Sequence, residues 1–335
     1  KILQKIETGY FSLQDADEKI KSDKEIVLAA VKQQGSALTD ANKILQDNRE
    51  IVLAAVKQDP WVLEHVNKKY KVDKEIVFIA VKQDGGVLKF ADKKLKDDKK
   101  IVLSAVKNIT SIVGSDWALH YASKNLRSDK EIVINAAKHT AKALLHADKK
   151  LKADKKVVLA AVKNYSDALE FADKKLKADK EVVLAAIKIE GRNIRYIDKK
   201  LTADKDIILA AITKSAYNLE FADEKLKSDK KFILLAIKKN SYVLEFVDEK
   251  LKADDEIVQA AIKDDPSLIQ YAANKIKSDE VFMKNHIKEK DIFKKYFIKN
   301  KKLKEYTYSV EISGSGGERK SSEITKKTYD FLSTR

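Results

Sequence analysis

One ten-residue stretch recurs along almost the whole chain, and that recurrence constrains the fold more than any other feature. Asp154-Lys-Lys-Val-Val-Leu-Ala-Ala-Val-Lys163 returns as Asp179-Lys-Glu-Val-Val-Leu-Ala-Ala-Ile-Lys188. Anchor aspartates stand at Asp23, Asp73, Asp98, Asp129, Asp154, Asp179, Asp204, Asp229, Asp254 and Asp279, and Asn48 fills the remaining slot. The spacing is 25 residues throughout, except for 31 between Asp98 and Asp129. A fixed period in this range marks a solenoid, in which each unit buries its apolar face only by stacking on its neighbours.

Each unit reads as two short helices. The first starts at the anchor, because Asp and Asn are preferred N-caps whose side-chain oxygen accepts a free backbone N–H. Acids in the first turn, such as Glu25, Glu75 and Glu131, suit the positive end of the helix dipole. The run from Ile26 to Val31 is apolar nearly all round, which predicts a helix sandwiched between neighbours. Lys closes this helix in ten of eleven units, Thr213 being the exception, and a cation suits a helix C-terminus. The second helix starts where Asp59-Pro60 and Asp265-Pro266 supply an N-cap acid and a Pro at the first helical position. Leu169, Ala172 and Leu176 share one helical face, which predicts a single helix running to the Lys-Lys-Leu-Lys before the next anchor.

The fold class expected is therefore all-α, a solenoid of about ten 25-residue two-helix repeats spanning residues 1–288, followed by a short β-containing C-terminal segment. The 31-residue unit carries six extra residues after Lys107, where Ile109, Ile112 and Val113 keep helical spacing, so a longer first helix or a bulged loop is expected. His286 replaces the small Ala of the last unit, as terminal repeats depart from the consensus when one side has no neighbour. Residues 289–304 read as a basic cap helix or linker, and residues 305–335 as a small, incomplete β-containing segment. The start at Lys1, without Met and in mid-pattern, is expected of a fragment or a processed product.

Composition narrows the function. With no Cys, a disulfide scaffold, a cysteine nucleophile and a thiolate zinc site are excluded. The longest apolar runs are six residues, such as Phe232 to Ile237, whereas a membrane span needs about 20. No secretion signal is visible, so a cytoplasmic or virion-associated location is expected. There is no Walker loop, no G-x-S-x-G and no HExxH, and paired acids such as Asp97-Asp98 fall at helix caps. No catalytic residue, cofactor site or metal ligand is assigned, and the chain is not expected to be an enzyme. His65 and His146 sit in a column otherwise filled mostly by Phe90, Tyr121, Phe171, Tyr196, Phe221, Phe246 and Tyr271, which marks them as core or interhelix residues.

The segments Asp23 to Lys32 and Ala168 to Leu176 resemble the repeat family catalogued as domain of unknown function 4116, over residues 10 to about 288. The resemblance implies a helical repeat and a place in a larger viral or bacterial effector-like protein. It implies no activity, no cofactor and no catalytic residue. The function expected is a non-enzymatic protein-interaction or structural scaffold with a protein partner.

Charge supplies the alternative. Lys and Arg total 68 against 52 acids, a net charge of +16. Lysines ending each second helix, such as Lys93, Lys94, Lys96, Lys149, Lys150, Lys152, Lys174, Lys175 and Lys177, form a repeated strip that could follow a phosphate backbone. Asp92, Asp148 and Asp173 interleave with them, and Glu170 stands four residues before Lys174, a spacing that favours an ion pair. The stretch 284–304 has nine Lys and two acids. There Lys294, Lys295, Lys299, Lys301, Lys302 and Lys304 are the candidate site for nucleic acid or another anionic partner, with Phe293, Tyr296 and Phe297 either stacking bases or capping the last repeat.

Overall fold

The computed structural model describes residues 2–7, 12–108 and 117–297. The chain falls into two compact units, Lys1–Ala186 and Ile187–Arg335. Each is an all-α solenoid of the repeat, with no strand among the described residues. The anchor helices of the first unit are α1 (Lys24–Gln33), α2 (Arg49–Gln58), α3 (Lys74–Gln83), α4 (Lys99–Lys107), α5 (Lys130–Ala137) and α6 (Lys155–Asn164). The chain passes into the second unit within α7 (Lys180–Ile189). There α8 (Lys205–Lys214), α9 (Lys230–Lys239), α10 (Asp255–Ile262) and α11 (Glu280–His286) follow, and α12 (Lys290–Tyr296) closes the described chain.

The anchor carboxylate starts each helix. Asp23 Oδ1 accepts the N–H of Glu25 and of Ile26 at 2.9 and 3.1 Å. Asn48 does the same for Glu50 and Ile51 at 3.0 and 3.3 Å. An extended residue such as Gln34 (φ −141°, ψ 107°) stops the helix at its far end. Within each unit successive anchor helices pack on one another, as α1 on α2 and α8 on α9. Ile51, Val52, Ala55, Val56, Val62 and Leu63 of one repeat are at most 2% exposed. Each large aliphatic side chain buried in this way contributes roughly 1.5–3 kcal/mol.

The second half of the repeat differs from the single helix predicted. Ser166–Phe171 form a 3-10 helix, Ala172 is extended (φ −68°, ψ 154°), and Lys174–Lys177 form one separate α-helical turn. Leu169, Ala172 and Leu176 are all buried, so the burial pattern survives the break. The cause is a stitch between repeats: the N–H of Asp173 donates to the carbonyl of Lys152 at 3.0 Å instead of continuing its own helix. The same bond joins Asn42 to Lys21, Asp92 to Lys71, Ser123 to Lys96 and Asp148 to Arg127 in the first unit, and Asp223 to Thr202 in the second. Asp173 then caps the short turn by accepting the N–H of Lys175 at 2.9 Å. The acids read as interleaved with the lysines, Asp92, Asp148 and Asp173, are therefore N-caps.

Three further expectations meet the structure here. The anchor helix is not covered on every side, because Leu28, Ala29, Leu53 and Ala54 are only half-buried. In the 31-residue unit α4 ends at Lys107, one residue before the usual place, and residues 109–116 lie outside the described residues. The β-containing segment proposed for residues 305–335 also lies outside them.

Candidate functional site

Most lysines of the array fall into four sets by position in the repeat, and two of these sets are largely without ion pairs among the described residues. The first set follows the anchor by one residue. Lys130 Nζ lies 2.6 Å from Asp154 of the next repeat, and Lys155 lies 2.8 Å from both Asp179 and Glu181. Arg49 meets Asp73 and Glu75 at 3.2 and 2.6 Å, and Lys99 meets Asp129 and Glu131 at 2.8 and 3.0 Å. In the second unit Lys205 pairs with Asp229 at 2.9 Å, and Lys230 with Asp254 and Glu256 at 2.8 and 2.9 Å. One carboxylate thus serves two repeats, its Oδ1 capping its own helix while its Oδ2 holds the neighbour's cation. Lys130 holds the Asp154 carboxyl below the usual carboxylate range, and Lys205 does the same to Asp229.

The second set precedes the anchor by two residues and folds back onto its own repeat. Lys71, Lys96, Lys152 and Lys177 donate to the carbonyls of Glu64, Lys89, Leu145 and Glu170 at 2.6–2.8 Å. Each donation reaches the carbonyl seven residues back, in the 3-10 segment for Glu64, Lys89 and Glu170 and in the α-helical turn Ala143–His146 for Leu145. Burial pulls the ammonium groups of Lys96, Lys152 and Lys177 below the usual lysine range. These lysines belong to the scaffold.

The third set stands four and five residues before the anchor and is exposed; in it Lys69 pairs with Asp47 at 2.6 Å. Lys93, Lys94, Lys149, Lys150, Lys174 and Lys175 lie at the surface, and none forms an ion pair with another described residue. The Glu170–Lys174 pair expected from helical spacing is absent, because extended Ala172 separates the two.

The fourth set closes the anchor helices: Lys32, Lys57, Lys82 and Lys107 in the first unit, Lys238 and Lys263 in the second, all exposed. Beside it in the first unit runs a column of half-buried apolar side chains, Leu28, Leu53, Phe78, Leu103, Ile134 and Leu159; in the second unit Leu209 and Leu234 hold the same position in the repeat. Neighbouring anchor helices leave grooves along this column. One is lined by Leu28, Leu53, Ala54, Lys32 and Lys57, with Glu50 at its edge. Another is lined by Leu234, Ala260, Lys238, Lys263 and Lys288, with Glu256 at its edge.

Of the candidate basic site, the structure describes only Lys294 and Lys295, both on α12; Lys299, Lys301, Lys302 and Lys304 lie outside the described residues. Lys294 is exposed, and Lys295 Nζ stands 5.1 Å from the Tyr296 ring centroid. Phe293 and Phe297 stack on each other at 5.0 Å, both half-buried, and Tyr296 OH reaches Gln270 Oε1 at 3.5 Å. The helix packs on the 3-10 segment Pro266–Tyr271 of the last full repeat, the arrangement of a cap.

The aromatic column is not core: Phe90, Tyr121, Phe171 and His146 are half-buried and His65 is exposed. It does bridge repeats, as in the edge-to-face contact of Trp61 with Phe90 at 6.0 Å. The structure also joins two histidines that the sequence left apart, His120 and His146, with their Nδ1 atoms 3.3 Å apart. Among the described residues no three His, Asp or Glu side chains cluster as a metal site, and no helix is long and apolar enough to cross a membrane.

The ion-pair ladder was missed at the level of sequence. Its signal is a cation directly after the anchor in nine of eleven units, from Lys24 to Lys230.

No curated protein and no solved structure matches the chain. The family described as Domain of unknown function (DUF4116) matches it in seven overlapping stretches, residues 2–46, 30–71, 48–96, 73–113, 98–152, 154–202 and 204–252. These tile most of the array, and the chain belongs to this family of helical repeats.

Proposed function

We propose that the chain is a non-enzymatic protein-interaction scaffold, a repeat array within a larger viral or bacterial effector-like protein working in the cytoplasm or the virion. The observation that carries this reading is the column of half-buried side chains from Leu28 through Leu53, Phe78 and Leu103. The consensus keeps these positions apolar although they line an open face, where a purely solvated helix carries polar residues. A contiguous apolar stripe on a soluble surface is a feature of interaction sites. The test is capture of partners by the whole chain against a variant carrying Leu28→Ser, Leu53→Ser and Leu103→Ser. Capture is expected to fall while circular dichroism shows the helical fold retained; unchanged capture contradicts the reading.

A second reading, an anionic partner such as nucleic acid, draws on the third set of lysines. Lys93, Lys94, Lys149, Lys150, Lys174 and Lys175 are exposed and form no ion pair with another described residue. Phosphate neutralisation by these residues predicts an affinity for duplex DNA that falls steeply with salt. Loss of that binding in the variant with Glu at all six positions supports this reading, and retention opposes it.

A further inference from the structure

We infer that the grooves between neighbouring anchor helices take an amphipathic segment of a partner protein that carries acidic side chains beside its apolar ones. The inference rests on the scaffold reading and names the chemistry of the partner. Leu28, Leu53 and Ala54 form the apolar floor of the first groove, and Lys32 and Lys57 stand on its rim. In the second unit Leu234 and Ala260 take the place of the floor, and Lys238, Lys263 and Lys288 that of the rim. All five lysines occupy one register, nine residues after their anchors.

The balance of charge decides the partner. Each groove has a carboxylate at its edge, but that carboxylate is already neutralised. Glu50 lies 2.7 Å from Lys24, and Glu256 lies 2.9 Å from Lys230. The rim lysines form no ion pair with a described residue. In the second groove Glu289 pairs with no described residue, against three lysines. Ion pairs with Lys24 and Lys230 therefore occupy Glu50 and Glu256 and leave the cations of both grooves in excess. A second copy of the chain suits such a groove poorly, because each copy carries a net charge of +16. The floor of the first groove is aliphatic; in the second Gln259 and His286 join Leu234 and Ala260. Neither groove is lined by Arg, Phe, Tyr or Trp, so repeated base stacking and planar phosphate recognition lack their usual platform.

The experiment uses the full chain and three synthetic peptides of equal length. The first places Leu at helical spacing with Glu elsewhere; the second exchanges every Glu for Lys; the third exchanges every Leu for Ser. Fluorescence anisotropy is expected to show binding of the first and at least tenfold weaker binding of the other two. The Lys32→Gln, Lys57→Gln, Lys238→Gln and Lys263→Gln variant, altered only at exposed positions, is expected to bind the first peptide at least tenfold more weakly while circular dichroism shows the helical fold retained. Equal binding of the Lys peptide overturns the acidic partner and leaves the scaffold reading standing. Equal binding of the Ser peptide, or displacement of the first peptide by duplex DNA, overturns it in favour of polyanion binding. Binding of none of the peptides overturns it outright, and the capture experiment above then decides the scaffold reading by itself.

Discussion

Lys130 reaches from one repeat to Asp154 of the next, 2.6 Å from Oδ2, while Oδ1 of the same carboxylate accepts the N–H of Lys156 and of Val157 at 2.9 and 3.2 Å. One side chain thereby starts a helix and fastens the preceding repeat to it. The two roles are separable. Asp154→Asn is expected to keep the cap and lose the ion pair, costing at most about 1 kcal/mol, the range of exposed ion pairs. Asp154→Ala loses both, and the cap alone is worth about 1 kcal/mol. The chain contains its own precedent: Asn48 caps α2, and Lys24, lacking an anchor carboxylate to meet, goes to Glu50 instead. Urea melts of the two variants check the order; equal losses would remove the ladder from the account.

Acid is expected to dissolve the ladder. Lys130 and Lys205 hold Asp154 and Asp229 below the usual carboxylate range. At Asp98, Asp129, Asp179 and Asp254 burial pushes the carboxyl up, but the lysine and the capped backbone N–H groups outweigh it and the net direction is down. A carboxyl with a lower pKa folded than unfolded stabilises the fold above its unfolded value, about 3.9, and loses that contribution as pH falls through its folded value. Stability is therefore expected to be flat with respect to these groups from about pH 7 to 5 and to drop below about pH 4. Melting temperatures across pH 2–7 check this; a drop centred above pH 5 contradicts it.

The small column between anchor helices should tolerate no growth. Ala186 and Ala211 are each fully buried, one in each unit. Leu at either position is expected to cost about 1–3 kcal/mol or more through overpacking. The glycine of the 3-10 segment is as constrained where a neighbour comes closest: a Cβ on Gly85 would lie 1.9 Å from the Ala105 carbonyl oxygen, and the Gly85 N–H donates to Asn108 at 2.7 Å. Gly85→Ala is expected to destabilise. Melts that leave all three variants at the wild-type temperature contradict this packing.

Asn193 and Asn218 occupy the same slot in successive repeats, with opposite consequences expected. Both are buried, but Asn218 Nδ2 donates to the Ala211 carbonyl at 2.8 Å whereas Asn193 makes no side-chain hydrogen bond. Ala168 and Val243 fill the slot elsewhere. An unsatisfied buried amide costs about 1–3 kcal/mol. Asn193→Val is expected to raise stability and Asn218→Ala to lower it. Chemical denaturation distinguishes them, and loss of stability in both would contradict the assignment.

The first half of the repeat was legible because every determinant is local: the Asp anchor, the apolar run and the closing Lys are all within ten residues. The second half was not. Leu169, Ala172 and Leu176 carry a true burial pattern, yet the break at Ala172 is made by Asp173 bonding to Lys152 in another repeat, and helical periodicity contains no term for such a bond. The lysines were over-read for the same reason. Lys96, Lys152 and Lys177 look like surface charge in sequence, but they spend their ammonium groups on carbonyls of their own repeat. The outward column at Leu28 and Leu53 was visible as apolar residues, but which side of an all-apolar helix stays open is decided by packing alone.

The open face of the anchor helices, with its apolar column and lysine rim, is the surface proposed to meet a partner. Photo-cross-linking in cells that make the full-length protein tests it most directly, with a benzoylphenylalanine placed at Leu53, at Leu209, at Lys94 or at Lys175. The account expects discrete partner adducts from Leu53 and Leu209 and few from Lys94 or Lys175. Adducts confined to the two lysine positions would contradict it.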